Sequence, residues 1–283
     1  MEISSEMHGQ GTRVTDSQTR ESIIASNILV HRAEAHTYDD VRLEIYNRYE
    51  QKRIVELLNR LDSLIENNAK RALDFGAGTG NITQKLLRQG YEVTALDISS
   101  EMLDVLRTKC AHHVAEGKLR TVTGFVEDLG VADGGFDLIT CYSVLHHVPD
   151  YLATLRALAP HLKKGGVLYI DHELSQFHWS RGRFEDAMVK SRIRVETLLN
   201  TIHCRGIAKG MEVPPLSYEL CDYWTKPEHH LDYEAIPRLL REMDFRDVIR
   251  EDYHLQWSAS FAPLYHVFRL CCKPDLCLWI ARK

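Results

Sequence analysis

The chain has 283 residues, 44% hydrophobic and 27% charged, with a formal net charge of −5. That length suits one large α/β domain or two modest ones with a buried core. The balance of charge supplies no basic field for nucleic acid or an anionic membrane surface. No run approaches the roughly 18 apolar residues of a membrane span, and the seven cysteines include no CxxC pair, as expected for reduced thiols in a cytoplasmic protein.

In chain order, residues 1–25 read as a flexible leader: MEISSEMHGQGTRVTDSQTRES is polar and lacks the apolar core of a secretory signal. From Tyr38 the pattern turns helical, with Val41, Ile45, Ile54, Leu57, Leu58, Leu61 and Ile65 near a helical period and Asp39 or Asp40 as N-cap. Alternation follows. Short apolar runs at 71–75, 91–97, 119–124, 136–142 and 166–171 are separated by helical stretches at 81–89, 99–114 and 151–162. Strands alternating with helices predict a parallel sheet covered on both faces. After Asp171 comes a helical candidate carrying Phe184, Met188, Val195, Leu198, Leu199 and Ile202 on one face, then the loop-like EVPPLSYEL. A helix over 233–243 and strands over 248–256 and 276–281 complete the chain.

The stretch ALDFGAGTGNIT, 72–83, holds three glycines at alternate positions after the first apolar run. Such density marks a sharp bend or a close approach by a ligand. A dinucleotide loop needs G-x-G-x-x-G/A, and here the third position is Asn81; a triphosphate loop would continue into Lys-Ser/Thr, which is missing. Asp74, ahead of the glycines, favours a ligand presenting a positive group rather than a phosphate. Asp97 ends VTALD, where two carboxylate oxygens match the paired hydroxyls of a ribose. A ribose at one end and a cationic amino acid at the other describe S-adenosylmethionine.

LDFGAGTG, VTALDISSEML, FDLITCYSVLHHVPD and LAPHLKKGGVLYI, in that order, resemble the successive motifs of class I S-adenosylmethionine-dependent methyltransferases, in the small-molecule branch typified by ubiquinone and menaquinone biosynthesis. The resemblance covers about 44–171. It implies a doubly wound, Rossmann-like, mostly parallel seven-stranded sheet, with an N-terminal helical cap and a mainly helical insertion after the fifth strand. It further implies that Asp74, Gly76, Ala77, Gly78 and Gly80 hold the methionine part of the cofactor and Asp97 its ribose. Ile98 and Met102 would flank the adenine, and Cys141 and Tyr142 would lie near the sulfonium. The branch often has an acidic residue after the third-strand glycine; Phe125 stands there instead, leaving Val126, Glu127 or Asp128 to meet the adenine. Tyr38 falls where the branch closes a Tyr-Asp pair over the cofactor.

The expected division is a leader over 1–25, a helical cap over 26–66, a cofactor-binding core over 67–172, a helical substrate lid over 173–230 and the rest of the core sheet over 231–283. The expected reaction moves a methyl group to an O, N or C nucleophile of a small molecule by in-line displacement. His147, His146, His172 and Glu173 are the candidates for proton transfer. No metal is expected, since no ligand spacing is distinctive. Neither nucleic acid nor an integral membrane is an expected partner, and the sequence leaves the oligomeric state open. The rival readings are a cofactor-binding protein without turnover and a nicotinamide-dependent oxidoreductase, the latter disfavoured by Asn81.

Overall fold

The computed structural model describes residues 14, 16–65, 69–130, 135–203, 212–256 and 268–283, without side chains at 193 and 195–203. The leader to residue 13, and the side chains of Val195, Leu198, Leu199 and Ile202, lie outside the described residues.

A helix, α1 (Ser17–Glu34), starts well inside the expected leader. Its N-cap is Asp16, whose carboxylate accepts the Thr19 N–H at 2.8 Å. Ile23 and Val30, one helical face, are buried, which supplies the tertiary packing that propensity alone does not. The single helix expected from Tyr38 is three pieces, α2 (Tyr38–Val41), α3 (Leu43–Tyr46) and α4 (Arg48–Asp62). The break falls at Asn47, which is extended and caps α4 through the N–H groups of Tyr49 and Glu50. Asparagine competes with the helix for backbone hydrogen bonds, so it favours a cap over an interior position.

The core alternates as expected: β1 (Arg71–Phe75), α5 (Asn81–Arg88), β2 (Glu92–Asp97), α6 (Ser100–Lys109), α7 (Ala111–Ala115), β3 (Leu119–Thr123), β4 (Phe136–Tyr142), α8 (Tyr151–Leu158) and β5 (Leu162–Leu174). The insertion follows, with α9 (Arg183–His203) and α10 (Pro215–Cys221). The stretch expected as a loop is therefore partly helical, begun by Pro215 at a position where its missing N–H costs nothing. Then come α11 (Ala235–Glu242), β6 (Arg246–Tyr253) and β7 (Leu276–Arg282).

The seven strands are ordered β3-β2-β1-β4-β5-β7-β6, the first five parallel and β7 antiparallel to both neighbours. Successive residues of each strand serve opposite cores. Leu138 and Leu278 pack with Ile54 and Leu58 of α4 and Leu86 of α5; Ile139 and Trp279 pack with Leu155 of α8 and Leu240 of α11. Strand order reverses direction between β1 and β4, so their carboxyl ends open a crevice.

Candidate functional site

That crevice is a cleft of about 380 Å³, within the usual range for a small-molecule site. Its floor is the carboxyl edge of β1, β2 and β4, and its roof is helical. Arg20, Ile24, Asn27 and His31 of α1 line it, spaced so that one helical face covers the opening. Tyr38 of α2 and Tyr46 of α3 close one end.

The glycine loop bends away from β1 while its backbone stays tied to β2: the N–H groups of Gly76 and Ala77 both donate to the Leu96 carbonyl, at 2.8 and 3.1 Å. Gly78 has φ +53°, and a Cβ there would meet nothing within 4 Å. Gly80 has φ +93°, and a Cβ there would strike Leu106 Cδ1 at 2.2 Å. The first glycine keeps the cleft open; the second lets α5 sit against α6.

Asp74, Gly76, Ala77, Gly78, Asp97, Ile98, Met102, Val126, Glu127, Tyr142 and Tyr38 all border the cleft. Gly80, Asp128 and Cys141 do not border it. Gly80 is the packing glycine just described. Asp128 turns back to accept the Phe125 N–H at 2.8 Å, capping the turn at 126–129. Cys141 is fully buried on the other side of its strand from Tyr142, as alternation requires.

Asp74 is 1% exposed and accepts hydroxyl hydrogens from Thr83 at 2.6 Å and Thr140 at 2.8 Å. Burial pushes its pKa up to about 6 against the lowering effect of those bonds. Asp97 accepts the N–H of Gly78 on one oxygen and of Ser99 on the other, each at 2.8 Å. Burial also raises its pKa, and His31 pulls the other way. Each oxygen keeps a lone pair for a ligand hydroxyl. Ser99 is the N-cap of α6, its hydroxyl accepting the Met102 N–H at 3.3 Å.

Of the four proton-transfer candidates, His147 alone borders the cleft. Its Nδ1 donates to the Cys221 carbonyl at 2.7 Å, which leaves the lone pair on Nε2. Burial, with His146 and His31 nearby, holds its pKa well below the ordinary value, so the ring is neutral. His146 turns its Nδ1 to Glu173 at 2.7 Å; burial would lower its pKa, but the Glu173 carboxylate outweighs that and raises it. Glu173, wholly buried, also accepts the N–H groups of Val144 at 3.2 Å and Leu145 at 2.9 Å. It holds the loop that carries His147. His172, at φ +63°, lies behind the cleft with Nδ1 3.0 Å from the Tyr142 hydroxyl.

Sequence reasoning expected a helical cap from residue 26 but did not single out Asn27 and His31 within it. The first part of their helix reads as leader, although the buried spacing Ile23, Asn27, Val30 and the preceding Asp16 cap were there to find. Sequence reasoning also missed Thr79, whose hydroxyl bonds both Tyr46 at 2.9 Å and Asp39 at 2.5 Å, latching α2 and α3 to the glycine loop. In the expected lid, no described residue from 173 to 230 borders the cleft. Trp224 instead packs edge-on against Tyr151, and Trp179 donates to the Tyr233 hydroxyl at 2.9 Å. The insertion reaches the site indirectly, through the Cys221 carbonyl on His147.

Residues 73–170 match the family described as Methyltransferase domain. Over 101 residues the chain is 40% identical to the ubiquinone biosynthesis O-methyltransferase of Xanthomonas campestris pv. campestris (strain B100), a match covering 35% of this chain and 41% of that protein. The protein of that name from Xanthomonas axonopodis pv. citri (strain 306) is 36% identical over 114 residues, or 40% of this chain and 47% of that one. The chain thus spans under half the length of these curated relatives. Among solved structures, magnesium protoporphyrin IX methyltransferase from Synechocystis PCC 6803, with bound SAH, aligns with a TM-score of 0.51 at 16% identity, over 91% of this chain and 100% of that chain. Phosphoethanolamine N-methyltransferase 2 of Haemonchus contortus aligns with a TM-score of 0.56 at 13% identity, over 95% and 60%. At such identities the structural likeness shows the shared fold. The sequence match is confined to residues 73–170, which are similar to the family described as Methyltransferase domain.

Proposed function

We propose that the chain is an S-adenosylmethionine-dependent methyltransferase acting on a small-molecule nucleophile. The observation that carries the reading is the cleft between β1, β2 and β4, with an open glycine at 78 between a carboxylate suited to a cation, Asp74, and one suited to a ribose, Asp97. The residues present fit the cofactor. Asp74 has spare lone pairs for an ammonium, and Asp97 has one on each oxygen for paired hydroxyls. Ile98, Met102 and Val126 offer an apolar wall for a purine.

When bound, the cofactor supplies a methyl group already activated by its sulfonium. The protein's task is then alignment and exclusion of water, a contribution of roughly 7–11 kcal/mol. The α1 roof and the Tyr38–Tyr46 end would shut out water, while Tyr38 presents an aromatic face to positive charge. His147, neutral with a free Nε2, is suited to take the proton of a hydroxyl acceptor. Glu173 and the Cys221 carbonyl hold it in place. His146, His172 and Glu173 would act through that scaffold rather than by touching the acceptor.

Calorimetric titration with S-adenosylhomocysteine, S-adenosylmethionine and NAD tests this. Micromolar binding of the sulfur ligands, weakened at least a hundredfold by Asp97→Ala, is the expected result. Binding of NAD alone would overturn the reading in favour of a redox enzyme. Binding of the sulfur ligands without methyl transfer to any acceptor class would favour a protein that binds the cofactor without turnover.

A further inference from the structure

We propose that His31, His147 and Cys221 form a binding site for a divalent cation of the zinc class at the inner edge of the cleft roof. The three residues come from α1, the loop after β4, and α10, and one potential ligand atom from each lies within 4.8 Å of the others. Tetrahedral zinc with nitrogen at about 2.0 Å and sulfur at about 2.3 Å would draw them somewhat closer, a change within reach of side-chain rotation.

The surroundings prepare the two imidazoles as metal ligands are usually prepared. His31 Nδ1 donates to the Asn27 carbonyl at 2.8 Å, and His147 Nδ1 to the Cys221 carbonyl at 2.7 Å. A backbone carbonyl on one ring nitrogen fixes the tautomer and leaves the other as a ligand. The rings meet edge to face, with centroids 5.1 Å apart. The Cys221 thiol is buried; it donates to the Asn27 carboxamide oxygen at 3.2 Å and lies 3.5 Å from His147 Nδ1, so a metal drawn to the thiol would compete with the Cys221 carbonyl for that nitrogen or turn the ring to present Nε2. Asn27 therefore touches both the first ring's helix and the thiol, and its amide also donates to the His147 carbonyl at 3.2 Å. One buried residue thus meets all three, His31 through its backbone carbonyl and the other two through its side chain.

Two nitrogens and a sulfur select zinc-like ions over magnesium or calcium, which prefer oxygen. Three protein ligands leave a fourth position, and because His31 and His147 both border the cleft, that position opens onto it. Binding would release the thiol proton to solvent. It would also occupy His147 and so deprive a hydroxyl acceptor of its proton acceptor. Zinc is then an inhibitor of methyl transfer. That consequence rests on the proposed function, whereas the binding does not. The neighbouring group His146, His147 and Asp222 shares one ligand, but its carboxylate side chain is half exposed and its other histidine is committed to Glu173.

Cobalt(II) titration of the full chain, without any cofactor, provides the test. The expected spectrum has visible bands of tetrahedral cobalt and a near-ultraviolet thiolate charge-transfer band, all displaced by zinc. Cys221→Ser should remove the charge-transfer band, and His31→Asn, on a half-buried helix face, should weaken binding at least tenfold; circular dichroism checks that both variants fold. Absent bands in the unaltered protein would overturn the proposal. So would bands unchanged in the two folded variants, which would assign the thiolate to another cysteine such as the exposed Cys271. Bands lost in Asp222→Asn but kept in Cys221→Ser would move the site to the neighbouring group and equally overturn it. Binding of S-adenosylhomocysteine is measured separately, so failure of the cation site and failure of the methyltransferase reading cannot be confused.

Discussion

Asp74 sits under a cleft suited to a cation, yet it has no cation of its own as a bonded partner among the described residues. Its folded pKa of about 6 lies above the 3.8 of an unperturbed carboxyl. For a raised acid, protonation favours the fold, and that advantage fades as pH rises through about 6. Ionised at neutral pH, it costs the ligand-free protein about 3 kcal/mol. A bound ammonium would relieve that cost. Cofactor affinity should therefore rise with pH through 6 and level off above 7, being about fourfold weaker at pH 5.5 than at pH 7.5; calorimetry across that range checks it. The glycines give a second contrast at this scale. Gly80→Ala collides with Leu106 and should lower stability by about 1–3 kcal/mol. Gly78→Ala meets open space, so it should cost about 1 kcal/mol for its left-handed backbone and act mainly by weakening cofactor binding. Thermal melts with and without S-adenosylhomocysteine separate the two.

Among the elements, α4 is bound to the sheet by charge as well as by apolar packing. The Arg53 guanidinium donates to Glu50 at 2.9 Å, to Asp171 at 2.6 Å and to the Tyr253 hydroxyl at 3.0 Å. Glu50 also accepts the Tyr142 hydroxyl at 2.8 Å. Both carboxylates are almost wholly buried, so Arg53→Met leaves two charges without compensation and should cost about 3–5 kcal/mol in urea denaturation. Burial would raise the Glu50 pKa, but Arg53 and His172 bring it down to about 2. A depressed acid stabilises the fold above its unfolded pKa of 4.5, and that share is lost between pH 4.5 and 2. These links also mark what a sequence can tell. The apolar runs announced every parallel strand, because strands buried on both faces need them. Arg53, Asp171 and Tyr253 carry no such signature: their partners lie more than 80 residues apart, and only the folded sheet brings them together. The start of α1 was hidden for a simpler reason: residues 17–22 carry no apolar side chain, so that end of the helix reads as leader.

At the scale of the molecule, one cleft draws its floor from residues 74–157 and its roof from residues 20–46, with α10 behind the roof. The floor was legible because its motifs are local: a glycine loop, a strand-ending aspartate and a paired histidine. Which of the two histidines faces the cleft was not legible, since that follows from Glu173 holding one and the Cys221 carbonyl turning the other. Neither contact is within 25 residues of its histidine.

The α1 roof sets a rate as well as a shape. A ligand held under Arg20, Ile24, Asn27 and His31 would be freed by lifting the helix, and lifting breaks the Asn27 bonds to His147 and Cys221 together. Such openings take microseconds to milliseconds or longer and often limit turnover. Rapid-quench kinetics should accordingly show a burst of methylated product in the first cycle, followed by a slower steady rate equal to the dissociation rate of S-adenosylhomocysteine. Asn27→Ala should speed the steady phase and leave the burst unchanged in size.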